Sequence, residues 1–123
     1  MPWIYHQSTG KIYHDEKLVS SRGYAGSGAW KNNPGGESRR NMGPLPRGTY
    51  TIADQFIDHP TAGKHVLRLT PEPDNQMFGR SGFLIHGDRI GAPGTASNGC
   101  IVLPLSVRLD ILRSGDRVLE VVK

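Results

Sequence analysis

The sequence contains one cysteine, Cys100, set directly after Ser97-Asn98-Gly99 and directly before the apolar run Ile101-Val102-Leu103. His86 ends a second apolar run, Gly82-Phe83-Leu84-Ile85, and a Gly-, Ala- and Ser-rich loop from Gly87 to Gly99 joins the two. Adjacent strands lie about 4.8 Å apart, so two strand ends joined by this loop bring an imidazole beside a thiol. That is the minimal arrangement of a Cys/His nucleophile pair. The thiolate is the reactive form, and a free thiol of pKa about 8.5 is only slightly ionised at pH 7. A neighbouring imidazole lowers that pKa or takes the proton, and later returns it to a leaving amine. Gly99 lets the chain turn sharply, and the N–H groups of Gly99 and Cys100 are candidates for holding a developing oxyanion.

A lone cysteine before Ile-Val-Leu is, on composition, also a small buried hydrophobe. A lone histidine at a strand end is also an ordinary polar residue. What favours chemistry is the two together, each beside a glycine and bracketing one loop. Further candidates surround them. Ser97 either shapes the cysteine loop or donates a hydrogen bond, Asn98 and Gly87 stand beside the pair as candidates for contacting substrate, and Asp88 either orients His86, holds a substrate amine or is a solvated turn residue. Tyr24, Asn32 and Asn33 either line a groove or sit on surface loops. Arg80 and Arg89 flank the site in sequence and suit substrate carboxylates, which Arg binds bidentately. His6, His14, His59 and His65 show no zinc-ligand spacing, so neither a metal nor another cofactor is expected.

One cysteine rules out an intramolecular disulfide framework and a multi-thiolate zinc site. With 123 residues the chain suits one domain, which at this size folds without staples. A net charge of +4 eases the approach of anionic partners without choosing among them. The only paired basic residues are Arg39-Arg40 and aromatics make up 7%, so no nucleic-acid stripe or stacking platform is visible. The N-terminus lacks the basic start and apolar stretch of a cleaved signal, and no window is apolar enough to span a membrane.

The 16 glycines and 9 prolines imply tight turns between short elements, hence a mainly β fold. Trp3–His6 and Lys11–His14 read as a hairpin around Gln7–Gly10. Ser20 to Gly48 is a long excursion with at most a short strand, and excursions of this length tend to be functional or mobile. Strands are expected at Gly48–Ala53, His65–Leu69, Gly82–His86, Cys100–Leu103 and Arg117–Val122. Thr70 to Gly79 is turn-like, with room for one helical turn. A helix begins at Pro104, with Leu105, Leu109 and Leu112 on its buried face, Arg108, Asp110 and Arg113 away from it, and Gly115 at its stop.

His86-Gly87 followed by Ser97-Asn98-Gly99-Cys100-Ile101 resembles the H-G…S-[HR]-G-C-[IV] signature of L,D-transpeptidase (YkuD-like) catalytic domains. Pro46-Arg47-Gly48-Thr49-Tyr50-Thr51-Ile52 is similar to that family's P-x-G-x-[FY]-x-I segment. The form Thr95-Ala96-Ser97-Asn98-Gly99-Cys100-Ile101, with Gly23-Tyr24-Ala25-Gly26, more closely resembles the small L,D-transpeptidase-like effectors of type VI secretion. Many wall-building members carry His or Arg at the place of Asn98 and Arg at the place of Val102, which favours the effector branch. The resemblance implies a single catalytic domain over residues 1–123, a β-sandwich with one short C-terminal helix. It also implies peptidoglycan stem peptides as substrate, Cys100 as nucleophile, and His86 as general base and acid, oriented by a backbone carbonyl.

Delivery by a contractile secretion system into a target cell's periplasm, with a cognate immunity protein as partner, follows as an expectation. Two other readings stand beside this one. A papain-like peptidase or amidase of the NlpC type is disfavoured because no histidine follows Cys100. A non-catalytic wall-binding module would leave Cys100 merely packed.

Overall fold

In the computed structural model, which describes residues 1–123, the aromatic opening forms a hairpin: β1 (Trp3–His6) pairs antiparallel with β2 (Ile12–His14). Alternation of buried and half-buried residues along β1 turns Trp3 and Tyr5 inward. A third strand, β3 (Lys17–Ser20), extends this edge; with Leu18 exposed and Ser20 buried it lacks the apolar-in, polar-out alternation of a half-buried strand, so the sequence pattern gave no sign of it.

On the other side of β1 lies β10 (Val118–Val122), parallel to it, and then β5 (Gly48–Ile52) and β7 (Gly63–Pro71), each antiparallel to its neighbour. The long strand β7 belongs to both halves of the fold. Its C-terminal part pairs with β5, and its middle pairs with β8 (Leu84–His86). Its first part pairs with the short, unforeseen β6 (Ile57–His59). Beyond β8 come β9 (Ile101–Val102), parallel to β8, and β4 (Tyr24–Ala25), antiparallel to β9. The strand order is β3-β2-β1-β10-β5-β7-β8-β9-β4.

Inward residues from both halves share one apolar cluster. Trp3, Tyr5, Tyr50 and Leu119 come from the first half, and Leu67, Ile85, Ile101 and Leu103 from the second. The path therefore folds over one core as the expected sandwich with a single short helix. Each such side chain contributes roughly 1.5–3 kcal/mol on burial. The excursion from Ser20 to Gly48 carries β4 and two single 3-10 turns, Gly28–Trp30 and Pro34–Gly36. Residues 72–79 form turns and no helix.

The helix α1 (Leu105–Ser114) starts after Pro104 and ends at Gly115, whose φ of 74° is the left-handed conformation glycine tolerates best. Its buried face differs from the leucine-based expectation: Val107, Arg108 and Ile111 point inward, and Leu105 is exposed. Arg108 turns in because carbonyls await it. Its Nε donates to Leu103 O at 3.1 Å, and Nη1 to Lys64 O at 3.2 Å and His65 O at 2.8 Å.

Glu37 ties the excursion to the residue that follows β1 and to the one that precedes β5. Its carboxylate takes the Arg47 guanidinium at 2.7 Å, the Arg47 N–H at 3.0 Å and the Gln7 amide at 3.1 Å. Burial penalises its charge, yet these donors prevail and hold the carboxyl at about 2. A carboxyl depressed in the folded state stabilises the fold above its unfolded pKa and loses that contribution as pH falls through the folded value. Urea unfolding is thus expected to show stability declining from about pH 4.5 towards pH 2, and Glu37→Gln should flatten that decline. An unchanged acid limb in the variant would assign the loss to other carboxylates.

Candidate active site

The register of β8 and β9 sets the site. Ile85 pairs with Ile101 and His86 with Val102, and Cys100 immediately precedes β9. The Cα atoms of Cys100 and His86 are thus diagonal neighbours on adjacent strands, roughly 8 Å apart by strand geometry.

His86 is buried, and its Nδ1 lies 2.8 Å from the Gly87 carbonyl. A carbonyl only accepts, so Nδ1 carries the proton and Nε2 keeps its lone pair. Burial pushes the imidazole below its ordinary pKa; the Gly87 carbonyl opposes that shift, and the Arg108 charge reinforces it. Cys100 is half-buried, with Sγ 4.0 Å from the Gly82 carbonyl and no hydrogen bond to His86. Burial pushes its thiol up, against the Leu84 N–H and the Arg80 charge. Of the two expected routes, a thiol pKa lowered by the imidazole or a proton passed to it, these directions favour the second. The resting pair is a neutral thiol beside a neutral imidazole.

The turn that presents Cys100 is fixed by Ser97. Its Oγ accepts from Gly26 N at 2.9 Å and Gly99 N at 3.0 Å, and donates to Cys100 O at 2.6 Å. The Gly99 N–H is therefore occupied and unavailable to an oxyanion, another correction. The Cys100 N–H takes part in none of the turn and loop hydrogen bonds, which leaves it as the candidate donor. Gly99 itself is obligatory on two counts. Its φ is 149°, and a Cβ there would lie 2.5 Å from Arg80 Nη2 and 3.1 Å from Gly43 O.

Tyr24 and Asp88 meet, but not at the thiol. The Tyr24 hydroxyl donates to Asp88 Oδ1 at 2.6 Å and accepts from Ala96 N at 2.9 Å. Asp88 also takes the N–H groups of Arg89 and Gly94. The carboxylate thus braces the 87–99 loop, and its hydrogen bonds go there and not to His86. Asn32 and Asn33 accept from Ala25 N and Gly35 N, as turn residues do. His14 pairs with Asp116 at 2.5 Å and stacks on Trp3, with Asp15 nearby. That cluster ties β2 to the turn before β10.

Cys100 opens on a groove of about 460 Å³ whose lining includes Arg40, Asn41, Arg80, Phe83, Asn98 and Gly99. Both glycine-rich loops contribute to it, and so does the 79–83 segment, of which sequence reasoning had singled out Arg80 but not Gly79 or Ser81. Arg80 is buried under it. Nη1 donates to Glu37 O at 2.7 Å and Pro44 O at 2.9 Å, and Nη2 to Gly43 O at 2.9 Å and Asn98 O at 3.3 Å. The guanidinium also lies over the Phe83 ring. It is committed to the fold and does not await a carboxylate. Arg89 is exposed and away from this groove.

Solved structures of L,D-transpeptidases share this architecture. LdtMt1, described as an LD transpeptidase in complex with imipenem, matches with a TM-score of 0.54 at 15% identity, covering 98% of this chain and 57% of that one. An L,D-transpeptidase from Mycobacterium smegmatis matches with a TM-score of 0.51 at 14% identity, covering 98% and 58%. The chain thus spans somewhat more than half of each, and the likeness establishes an L,D-transpeptidase-like fold. No curated protein sequence matches. The family model described as the Tlde1 domain matches residues 20–122, and the chain belongs to that family of type VI L,D-transpeptidase effectors.

Proposed function

We propose that this domain cleaves or exchanges the terminal D-amino acid at the L,D bond of peptidoglycan stem peptides, with Cys100 as nucleophile and His86 as base and acid. The observation that carries the reading is the β8/β9 register. It sets the lone thiol at the mouth of a groove and one strand away from an imidazole whose Nδ1 is held by a carbonyl and whose Nε2 is free. Family membership and fold support the choice of substrate.

Substrate entry brings Sγ and Nε2 together. As Sγ attacks the carbonyl carbon at the L-centre of the third residue, Nε2 takes the thiol proton and the Cys100 N–H holds the oxyanion. The C–N bond then breaks, the imidazolium protonates the departing D-alanine amine, and a thioester remains on Cys100. Water, deprotonated by His86, releases the tripeptide as a carboxylate. A D-amino acid or side-chain amine in place of water gives exchange or a cross-link. Delivery as a secreted toxin into a rival's periplasm, checked by an immunity protein, belongs to the same proposal.

The resting protonation states set the pH profile. Activity needs neutral His86, whose pKa is depressed, and a thiol whose pKa is raised. The rate should therefore be flat from about pH 6.5 to 8.5, the ordinary values of the two groups, and fall only outside that window. An acid limb with its midpoint above pH 7 would contradict the assignment of His86. The reading itself is tested with purified disaccharide tetrapeptide and mass spectrometry. Loss of D-alanine, or its replacement by an added D-amino acid, is expected; neither product between about pH 6 and 9, where such a pair works, would overturn it.

A further inference from the structure

The groove beside Cys100 is lined by two arginines, Arg40 and Arg80, and by no Asp or Glu. Neither arginine is in an ion pair, although Arg47 and Arg117 elsewhere are. The groove therefore holds two positive charges without a counter-anion, next to the only thiol. The two differ in what they offer. Arg80 has both terminal nitrogens on backbone carbonyls and is buried. Arg40 is exposed and makes one hydrogen bond, from Nη2 to Gly79 O at 3.3 Å. That contact leans the side chain against the 79–83 side of the groove while leaving most of its N–H fork free.

We infer that Arg40 binds the terminal carboxylate of the stem peptide, with buried Arg80 adding a fixed positive charge beneath it. The inference rests on the functional reading above. A reaction that releases the last residue must tell a chain end from an interior residue, and a free carboxylate is what marks the end. It lies one residue beyond the scissile carbonyl, so a cationic fork in the groove that holds the nucleophile is suitably placed. Arg is the side chain whose planar fork matches a carboxylate bidentately. Binding at this site makes the terminal acid, and not its amide, the substrate.

The test uses the full chain carrying Cys100→Ala, titrated calorimetrically with a stem tetrapeptide ending in a free carboxylate and with the same peptide amidated. The acid should bind about tenfold tighter or more, the worth of one charge-assisted hydrogen bond, and that preference should shrink with added salt. Adding Arg40→Gln should reduce it to within about twofold, with amide binding unchanged and Arg40→Lys intermediate. Equal binding of acid and amide, or a preference that survives Arg40→Gln, overturns the inference. D-alanine release by the unmutated protein is measured in parallel. Preference without turnover would sustain the carboxylate site and defeat the catalytic reading; turnover without preference would do the reverse.

Discussion

Replacing Cys100 by alanine is expected to lower turnover of a stem tetrapeptide by about 10³-fold or more, the scale on which removal of a covalent nucleophile acts. The fold should survive. Cys100 packs at the margin of the core cluster and is not among its buried members, so the loss of one sulfur should cost about 1 kcal/mol. His86→Ala should fall by a similar factor, because the proposed mechanism routes both proton transfers through Nε2. The two variants are distinguished by alkylation: His86→Ala keeps a thiol that reacts once pH exceeds its raised pKa, whereas Cys100→Ala has nothing to label. Substantial turnover in Cys100→Ala, measured as D-alanine released, would remove the thiol from the mechanism.

The second large effect is expected at Arg80. Arg80→Met strips the donors from four carbonyls, those of Glu37, Gly43, Pro44 and Asn98. Unsatisfied buried acceptors cost about 1–3 kcal/mol each, and the surrounding loops relax, so a net loss of about 3 kcal/mol or more is expected. That is a large share of the roughly 5–15 kcal/mol that holds a domain together. The loss should read out as a lower urea midpoint with an unchanged slope. Activity should fall as well, because the Asn98 carbonyl belongs to the turn that aims Cys100. Arg80→Lys keeps the charge but concentrates its donors on one nitrogen, so it should lie between. A Met variant as stable as the parent would mean that water replaces the guanidinium.

The contrast between Arg80 and Cys100 shows what the sequence made legible. Cys100 and His86 were readable because their signal is local: a residue type, a flanking glycine and an apolar run on either side. Their strand pairing then followed from the loop that joins them, as did the need for Gly99. The part Arg80 plays was hidden because its four acceptors come from residues 37 to 98 and are backbone carbonyls, which no side-chain pattern announces. Arg108 was misplaced for the same reason. Leucine spacing suggested an apolar face, but the carbonyls of Lys64, His65 and Leu103 drew a guanidinium inward and left Leu105 exposed. The strands β3 and β6 escaped notice because they are only four and three residues long and carry too little apolar alternation to read as strands. The occupied Gly99 N–H was invisible until the Ser97 hydroxyl had a position.

These differences sharpen the chemistry. A turn fixed by Ser97 from within and Arg80 from below presents Cys100 on a rigid frame. In the proposed mechanism a thiol whose pKa burial raises reacts only as the imidazole takes its proton, and the same raised pKa makes the resting thiol less prone to oxidation.

The most direct test is to trap the covalent intermediate. Protein mixed with excess disaccharide tetrapeptide, quenched in acid and digested, is expected to carry the disaccharide-tripeptide acyl group as a thioester on the peptide containing Cys100, with the D-alanine released equal to the adduct plus the tripeptide already freed by water. Released D-alanine accompanied by an acyl group on any other residue would contradict the account.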